Sequence, residues 1–143
     1  MKKRVLVVDD DIDFTCLMKV ALEVEGRFDV QAVVNSTYAV AAARNFKPDL
    51  VLLDCMMPHM DGGEVAAALQ CDAALKHVPV VFLTALVHTR RDTTPDDGGA
   101  AKIYLPKTLP IPELVKIIKD MTGDAVSLGE VLLRFVRRPG SMG

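Results

Sequence analysis

Residues 48–63 read PDLVLLDCMMPHMDGG and contain the apolar run on which the fold depends. Leu50 to Leu53 form a continuous apolar stretch, which is typical of a β-strand buried on both faces. Pro48 ends the preceding segment, and the pair Gly62-Gly63 precedes a helical stretch that reaches about residue 70. The sequence therefore predicts a central strand with Asp54 at its carboxyl end.

Apolar runs predict further strands at residues 5–8, 78–83 and 103–105. Phe28, Val30 and Ala32 alternate with polar residues and predict one more strand, at residues 28–32, with these three side chains on its buried face. Apolar side chains at helical spacing predict helices near residues 14–22, 37–44, 63–70 and 112–121. This alternation indicates a doubly wound α/β fold, in which a parallel sheet has helices on both faces. The commonest small version is the flavodoxin-like (βα)5 fold with strand order 2-1-3-4-5. Residues 87–99 are rich in Thr, Asp and Gly, and they predict at most a short helix and a loop.

The composition restricts the class of protein. The chain has 143 residues, of which 50% are hydrophobic and 25% are charged, and its formal net charge is −2. These values indicate one globular domain and argue against direct binding to nucleic acid. Cys16, Cys55 and Cys71 lack metal-site spacing, which favours reduced thiols in a cytoplasmic protein. No apolar segment reaches the length of a membrane span, about 20 residues. Residues 1–4 resemble the charged start of a signal peptide, but the apolar stretch at residues 5–8 is too short for export.

Polar residues follow four of the five predicted strands. Asp9 and Asp10 follow the first strand, Asp54 the third, Thr84 the fourth and Lys107 the fifth. Because ligands of open α/β sheets bind beyond the carboxyl ends of the strands, these side chains are expected to share one site. Two like charges about 4 Å apart repel by about 4 kcal/mol at an effective dielectric near 20, so three carboxylates require a cation or a proton. Oxygen ligands favour Mg²⁺, and Lys107 adds a second cation for a phosphoryl group.

The four aspartates at residues 9–13 divide into two groups, because only Asp9 and Asp10 belong to the predicted metal site. A carboxylate beside an open metal position can act as a nucleophile and become an aspartyl phosphate. Asp11 and Asp13 are instead expected at the start of the first helix, where a carboxylate interacts favourably with the helix dipole. Each residue alone has an ordinary structural explanation, and the agreement of four strand ends is what favours a site.

With these residues in place, the chain resembles the receiver domains of bacterial two-component response regulators, and in particular the single-domain, chemotaxis-like ones. The resemblance covers about residues 1–122, in matching order, through residues 7–11 (VVDDD), 48–63, 79–85 (PVVFLTA), 99–100 (GA) and 104–107 (YLPK). The block around Asp54 is the most specific of these. The resemblance implies a flavodoxin-like fold, as the alternation of strands and helices does.

The resemblance also implies a role for each residue of the acidic site. Asp54 would be the phosphoacceptor, and it would bind Mg²⁺ (or Mn²⁺) together with the Asp10 side chain and the backbone carbonyl of Met56. Asp9 would contribute through a metal-bound water. Lys107 would pair with the phosphoryl oxygens.

Two further residues would carry the switch. Thr84 would hydrogen-bond the phosphoryl group, and Tyr104 would move with it. The donor would be a phosphohistidine on a sensor histidine kinase or phosphotransfer protein, and the switch would act on a downstream protein that the sequence does not name. The chain would be a signalling phosphoacceptor rather than an enzyme. It would lose its phosphoryl group slowly, because Met56 and Leu86 are apolar and cannot orient a water.

Two positions depart from the family pattern. Thr108 stands where the family usually has a proline in a cis peptide, and a cis bond before another residue costs roughly 3–4 kcal/mol. We therefore expect the Lys107–Thr108 bond to be either trans with a reshaped loop, or cis and strained. Pro106 replaces a strand residue that would normally offer an N–H group.

Residues 123–143 lie outside the resemblance and are predicted to form a C-terminal extension. Ser127 and Glu130 have the spacing of a capping box, and the apolar residues that follow predict one amphipathic helix before Pro139. Twenty-one residues are too few for a DNA-binding or catalytic output domain, which favours a single-domain regulator. The helix would either pack on the domain or dock to a partner or anionic lipid.

Two alternatives remain at this point. The stretch Asp9-Asp10-Asp11 contains the Asp-x-Asp nucleophile pattern of haloacid-dehalogenase-type phosphatases, but the order of the other motifs fails and the block around Asp54 is unexplained. A degenerate receiver that only binds proteins, without phosphorylation, stays open because the Lys107–Thr108 region is altered.

Overall fold

Five parallel strands form one sheet in a computed structural model, which describes residues 2–85 and 103–123. The strands are β1 (Lys3–Val8), β2 (Phe28–Val33), β3 (Leu50–Asp54), β4 (Val80–Thr84) and β5 (Ile103–Pro106). Their order in the sheet is β2-β1-β3-β4-β5. The flavodoxin-like α/β fold expected from the sequence is therefore confirmed, and β1 and β3 are neighbours at its centre.

The described helices begin close to where the sequence places them: α1 (Ile12–Glu23), α2 (Ala39–Phe46), α3 (Gly62–Gln70) and α4 (Ile111–Thr122). Asp11 caps α1 by accepting a hydrogen bond from the backbone N–H of Phe14, and Asp13 lies in the first turn. Both residues therefore start the helix as predicted. Asp61 forms a capping box with Glu64 at the start of α3.

Two apolar layers hold the helices on the sheet. Alternate residues of β1 point to opposite faces, so that Val5 and Val7 pack under α1 and α4, whereas Leu6 and Val8 pack under α2 and α3. All four side chains are fully buried. A continuous apolar strand is thus needed at the centre of the sheet, because both of its faces are covered.

The structure differs from the sequence prediction in two details of β2 and α2. Ala32 is exposed and Val33 is buried instead, in the strand that lies outermost on that side of the described sheet. The helix expected from residue 37 starts as a single 3-10 turn, Ser36–Tyr38, capped by Asn35, before α2.

Two predictions fall outside the described residues. They are the short helix and loop at residues 87–99 and the helix of the C-terminal extension, of which the structure describes only Gly123. Within residues 2–85 and 103–123, no helix has both the length and the apolar character needed to cross a membrane.

Candidate functional site

Three carboxylates meet at the carboxyl ends of the two central strands. Val8 of β1 lies beside Leu53 of β3 in the register of the sheet, so Asp9 and Asp54 are neighbours one residue further on. One oxygen from each of Asp9, Asp10 and Asp54 lies within 4.8 Å of the other two. Asp9 and Asp54 are buried, whereas Asp10 is exposed. The structure therefore brings together the three carboxylates that the sequence assigns to a metal site, and the arrangement is compatible with binding a cation.

Asp9 is the most deeply buried member of this cluster. Its side chain is fully inaccessible to solvent, and its Oδ1 accepts a hydrogen bond of 2.9 Å from the backbone N–H of Asp11. Its Oδ2 lies 2.8 Å from Nζ of Lys107. Apart from this ion pair, Oδ2 has no hydrogen-bond partner in the described part of the chain. One ammonium therefore balances a carboxylate that water cannot reach.

Asp54 is held more loosely than Asp9. Its Oδ2 is 3.9 Å from Nζ of Lys107, and its Oδ1 accepts a long hydrogen bond, 3.5 Å, from the backbone N–H of Met56. Burial and the nearby charge of Asp9 raise the pKa of Asp54 to about 7. The Asp54 carboxylate is therefore charge-crowded and has oxygen lone pairs available for another ligand.

Lys107 is the cation of the site. Its backbone N–H donates to the carbonyl of Thr84 at 2.7 Å, which fixes the start of the loop after β5. Burial opposes its charge, but the hydrogen bond to Asp9 and the charges of Asp9 and Asp54 raise the pKa of Lys107 overall. The ammonium also lies 4.7 Å from the centroid of the Phe14 ring, in cation–π contact. It is thereby held against the two buried carboxylates.

The loop after β5 resolves the question of the Lys107–Thr108 bond. Every described peptide bond is trans, so the Lys107–Thr108 bond is trans and the cis alternative is wrong. Pro106 is the last residue of β5 and pairs with Thr84 at the edge of the sheet. A residue without an N–H is tolerated there because β5 is the outermost of the described strands.

The two expected switch residues lie near the same edge of the sheet. Thr84 is the half-buried last residue of β4 and follows Leu83, which pairs with Asp54. Tyr104 lies two residues before Pro106 on β5, and its half-buried ring stacks on Phe82 with centroids 5.0 Å apart. The structure therefore places Thr84 one residue beyond the position on β4 that pairs with Asp54. Tyr104 on β5 pairs with Phe82, two residues before Thr84.

The loop that leads from Asp54 to α3 is held by contacts that the sequence reasoning missed. The buried Ser36 hydroxyl donates to the carbonyl of Pro58 at 3.1 Å and accepts from the N–H of Met60 at 3.2 Å. Gly62 lies so close to β3 that a Cβ atom would be 2.5 Å from the Asp54 carbonyl oxygen. The glycine in the sequence was a usable signal for this close approach, whereas nothing in the sequence near Ser36 announces its contacts.

Phe14 was also missed as a site residue. Its position fits the apolar face of α1, and it does pack against the core. The spacing of apolar residues reports burial but not that the ring also contacts an ammonium. Met56, in contrast, is where the sequence places it, two residues after Asp54, with a side chain that is 73% exposed.

Comparisons with known proteins agree with this geometry. The sequence profile of the response regulator receiver domain matches residues 5–119. Over 119 residues the chain is 38% identical to the DNA-binding response regulator MtrA of Mycobacterium tuberculosis, which covers 83% of this chain and 50% of MtrA. Over 125 residues it is 31% identical to the polar-differentiation response regulator DivK of Brucella anthropi, which covers 87% of this chain and 100% of DivK.

Solved structures show the same fold. The N-terminal domain of a response regulator receiver protein from Methanoculleus marisnigri has a TM-score of 0.65 and 28% identity, over 84% of this chain and 96% of that one. The receiver domain of a Francisella response regulator has a TM-score of 0.69 and 26% identity, over 82% of this chain and 94% of that one.

The lengths of these relatives limit which of their properties can be transferred to this chain. The chain spans about half the length of the MtrA proteins that it matches, so the DNA-binding activity in their name is a property of those longer proteins. The receiver profile covers residues 5–119, which include the whole acidic site, and it leaves no support for the phosphatase alternative. The chain belongs to the response regulator receiver domain family.

Proposed function

We propose that Asp54 accepts a phosphoryl group from a phosphohistidine on a sensor histidine kinase or phosphotransfer protein, and that the modified domain changes its protein contacts. The observation that carries this proposal is the cluster of Asp9, Asp10 and Asp54 within 4.8 Å of one another, beside Lys107. Membership in the receiver family supports a phosphohistidine as the donor. The widely separated cysteines, which lack the spacing of a disulfide framework or a metal site, support action in the cytoplasm.

The donor set fits Mg²⁺ or Mn²⁺. Asp10 and Asp54 would bind the ion through carboxylate oxygens, Met56 through its backbone carbonyl and Asp9 through a bound water. Two buried carboxylates share one ammonium in this cluster, so negative charge is left over for a divalent ion to balance. When bound, the ion would neutralise the carboxylates and stabilise the charge on the phosphoryl oxygens.

Asp54 is the nucleophile of the proposed transfer. One of its carboxylate oxygens forms a bond to phosphorus while the bond between phosphorus and the donor's imidazole nitrogen breaks. The electron pair of that bond stays on the imidazole, whose other nitrogen keeps its proton, so the donor leaves as a neutral ring. Both Asp54 oxygens have weak partners, at 3.5 and 3.9 Å, which supports Asp54 rather than Asp9 as the attacking group.

Lys107 and Thr84 would respond to the new charge. A phosphoryl group adds about −1.5 to −2 charges at neutral pH. The Lys107 ammonium, 2.8 Å from Asp9 and 3.9 Å from Asp54, would then pair with the phosphoryl oxygens. Thr84 is linked to Lys107 through the backbone, and its hydroxyl would bind another phosphoryl oxygen. Tyr104, on the neighbouring strand, would move with Thr84 and alter the surface offered to a downstream protein.

The domain organisation belongs to the same proposal. Residues 1–122 would form the complete receiver, and residues 123–143 would form an extension with a separate purpose. The chain would carry out its own phosphorylation and slow dephosphorylation, without turnover of other substrates. Its direct partners would be proteins rather than nucleic acid.

Labelling of the full chain with acetyl phosphate and Mg²⁺ tests the proposal. Intact mass spectrometry should show one added phosphoryl group that is stable in acid, labile in base and absent when the metal is chelated. Asp54→Asn should lower labelling at least 100-fold, because an amide is not a nucleophile here. Asp61→Asn is the matched control, since it changes a nearby carboxylate that caps α3, and it should keep labelling within twofold.

Three results would contradict the proposal. Labelling that persists in Asp54→Asn would assign the phosphoryl group to another residue. A folded chain that binds Mg²⁺ but takes up no phosphoryl group would instead be the phosphorylation-independent binding module. Rapid turnover of p-nitrophenyl phosphate would make the chain a phosphatase.

A further inference from the structure

The loop between β3 and α3 contains a tight turn centred on His59. The backbone N–H of Met60 donates to the carbonyl of Pro58 at 2.9 Å, and His59 between them has a φ of 74°. A three-residue turn with a positive φ at its centre is the rare and strained form of the γ-turn. Glycine adopts a positive φ freely, whereas a residue with a Cβ atom does so at a steric cost. This turn therefore depends on contacts from outside it.

One buried hydroxyl binds both ends of the turn. Ser36 Oγ donates to the carbonyl of Pro58 at 3.1 Å and accepts from the N–H of Met60 at 3.2 Å, which are the two groups that close the turn. Ser36 is buried and begins the 3-10 turn before α2, where the Asn35 cap fixes its position. If the γ-turn opened, the hydroxyl would lose both partners without gaining water. We call this hydroxyl and its two hydrogen bonds the Ser36 clamp.

The clamped turn belongs to the loop that leaves the acidic site. At the start of this loop the N–H of Met56 donates to Asp54 Oδ1 at 3.5 Å, and at its end the N–H of Gly62 donates to the carbonyl of Cys55 at 3.0 Å. The loop is thus attached near both ends, and the Ser36 clamp attaches its middle to the neighbouring β2–α2 connection. These attachments together set the backbone conformation at Met56, whose carbonyl is the proposed metal ligand.

We propose that Ser36 is a positioning residue for the metal site: its hydroxyl holds the strained turn at His59 closed and thereby keeps the backbone of Met56 in the conformation that binds the ion. This inference rests on the proposed function, because it takes the Met56 carbonyl as a ligand. Ser36 touches neither the ion nor the phosphoryl group and acts through the loop. Its loss should therefore weaken metal binding and leave the transfer step at saturating metal nearly unchanged.

Ser36→Ala in the full chain tests this split between binding and transfer. Calorimetric titration with Mg²⁺, without a phosphoryl donor, should give an affinity about tenfold weaker. In acetyl phosphate labelling, the Mg²⁺ concentration for half-maximal rate should rise by the same factor, and the rate at saturating Mg²⁺ should stay within about twofold. Thr37→Ala is the matched control, because it removes an exposed hydroxyl of the same turn that donates to the nearby Asn35 side chain. It should change neither quantity by more than about twofold.

Two substitutions of His59 test the strain that the clamp opposes. His59→Gly removes the steric cost of the positive φ, so the turn should close without help from Ser36. In that background, Ser36→Ala should weaken Mg²⁺ binding by less than about twofold. His59→Ala is the matched control, because it also loses the imidazole but keeps the Cβ atom. In that background, Ser36→Ala should still weaken Mg²⁺ binding by about tenfold.

The clamp can also be followed in the chain without metal. Hydrogen exchange of the Met60 N–H, measured by NMR, should be at least about tenfold faster in Ser36→Ala, because this N–H loses one of its two acceptors and the turn opens more often. The N–H of Val65, which donates to the Asp61 carbonyl in the first turn of α3, serves as the internal reference. Its exchange should change by less than about twofold.

The outcomes separate this inference from the proposed function. Unchanged Mg²⁺ affinity in a folded Ser36→Ala chain would overturn the inference and leave transfer to Asp54 standing. Weaker Mg²⁺ binding in Ser36→Ala, in a chain that takes up no phosphoryl group, would support the inference and contradict the transfer. An unmodified chain that binds no Mg²⁺ would overturn both.

Three further results would overturn the positioning role of Ser36. A lower rate at saturating Mg²⁺, with an unchanged half-maximal concentration, would mean that Ser36 acts on the transfer step. Equal effects of Ser36→Ala in the His59→Gly and His59→Ala backgrounds would mean that the hydroxyl does not oppose strain at His59. Faster exchange at Val65 as well as at Met60 would mean that Ser36 only stabilises the fold.

Discussion

The aspartates at the strand ends and those at the helix starts have the same side chain but opposite relations to the fold. Asp61 accepts a hydrogen bond of 2.9 Å from the N–H of Glu64, whose side chain accepts one of 3.0 Å from the N–H of Asp61. Asp11 likewise accepts from the N–H of Phe14. Asp9 and Asp54, in contrast, are buried and share a single ammonium. The helix-start carboxylates stabilise the folded state. The strand-end carboxylates destabilise it and are available for chemistry.

Removal of the shared cation should have a larger effect on stability than any other single substitution proposed for these two groups of carboxylates. Lys107→Met leaves the fully buried Asp9 without its partner, and we expect it to lower the free energy of unfolding at pH 8 without metal by about 3 kcal/mol. Urea unfolding measures this change. Lys19→Met, which removes a cation from a half-exposed pair with Glu23, should cost less than about 1 kcal/mol. A similar loss in both variants would refute the contrast.

The double variant Asp9→Asn, Lys107→Met separates the two causes of instability. If the cost of Lys107→Met comes from a buried unpaired charge, removing the charge of Asp9 as well should restore about half of the lost free energy or more. If it comes from lost packing of the lysine stem on Phe14, the double variant should be no more stable than Lys107→Met.

The crowding at Asp54 predicts an unusual dependence of stability on pH. The folded protein raises the pKa of Asp54 to about 7, so between about pH 4 and 7 the folded state binds more protons than the unfolded state. The free energy of unfolding without metal should therefore fall as the pH rises through this window, by up to about 4 kcal/mol. Asp54→Asn should flatten the curve, and saturating Mg²⁺ should also flatten it.

A surface carboxylate whose hydrogen bonds are satisfied, such as Glu23 at the end of α1, should give the opposite sign. Glu23 accepts hydrogen bonds from Lys19 and from the backbone of Val30, and these contacts hold its pKa below the usual value. Satisfied carboxylates of this kind contribute stability that is present at neutral pH and lost as the pH falls through the folded-state pKa. A curve for Asp54→Asn that still fell with rising pH would mean that another group is responsible.

Gly62 is the first residue of α3 and lies against the backbone of Asp54 and Cys55. A substitution there therefore tests whether the start of the helix and the acidic site are independent. A Cβ atom at Gly62 would lie 2.5 Å from the Asp54 carbonyl oxygen and 3.0 Å from Cys55 Cα, so backbone atoms would have to move. We expect Gly62→Ala to cost about 2 kcal/mol of unfolding free energy and to slow the labelling of Asp54. Gly63→Ala is the matched control, because its nearest neighbour is a side-chain oxygen of Asp61 at 3.4 Å. Its effect should be within about 0.5 kcal/mol.

The same contrast explains how much of the fold could be predicted from the sequence. Apolar runs such as residues 50–53 report burial on both faces, and the strand order followed from the alternation of strands and helices. The acidic site followed as well, because parallel strands align their carboxyl ends at one edge. The sequence therefore assigns Asp9, Asp54 and Lys107 to one site, and the structure places Nζ of Lys107 within 3.9 Å of both carboxylates.

What could not be predicted concerns contacts between residues far apart in sequence. The periodicity that assigned Phe14 to the core carries no information on the ammonium 4.7 Å from its ring. The hydroxyl of Ser36 holds a loop 22 residues away, and no local pattern encodes that distance. The 3-10 turn before α2 and the trans bond at Lys107–Thr108 likewise depend on how the chain packs around them.

The smallest effect that we predict belongs to the helix cap itself. Asp61→Ala removes one half of the capping box and should lower the free energy of unfolding by about 1 kcal/mol, because the first turn of α3 loses an acceptor for a backbone N–H. Asp61→Asn keeps an acceptor at the same position and should cost a few tenths of a kcal/mol. Neither variant should change the labelling of Asp54 by more than twofold, since Asp61 lies outside the cluster of three carboxylates. Urea unfolding and acetyl phosphate labelling of the same samples measure both quantities. A large loss of labelling in Asp61→Asn would show that the helix-start carboxylates also serve the chemistry, which would end the division between the two groups.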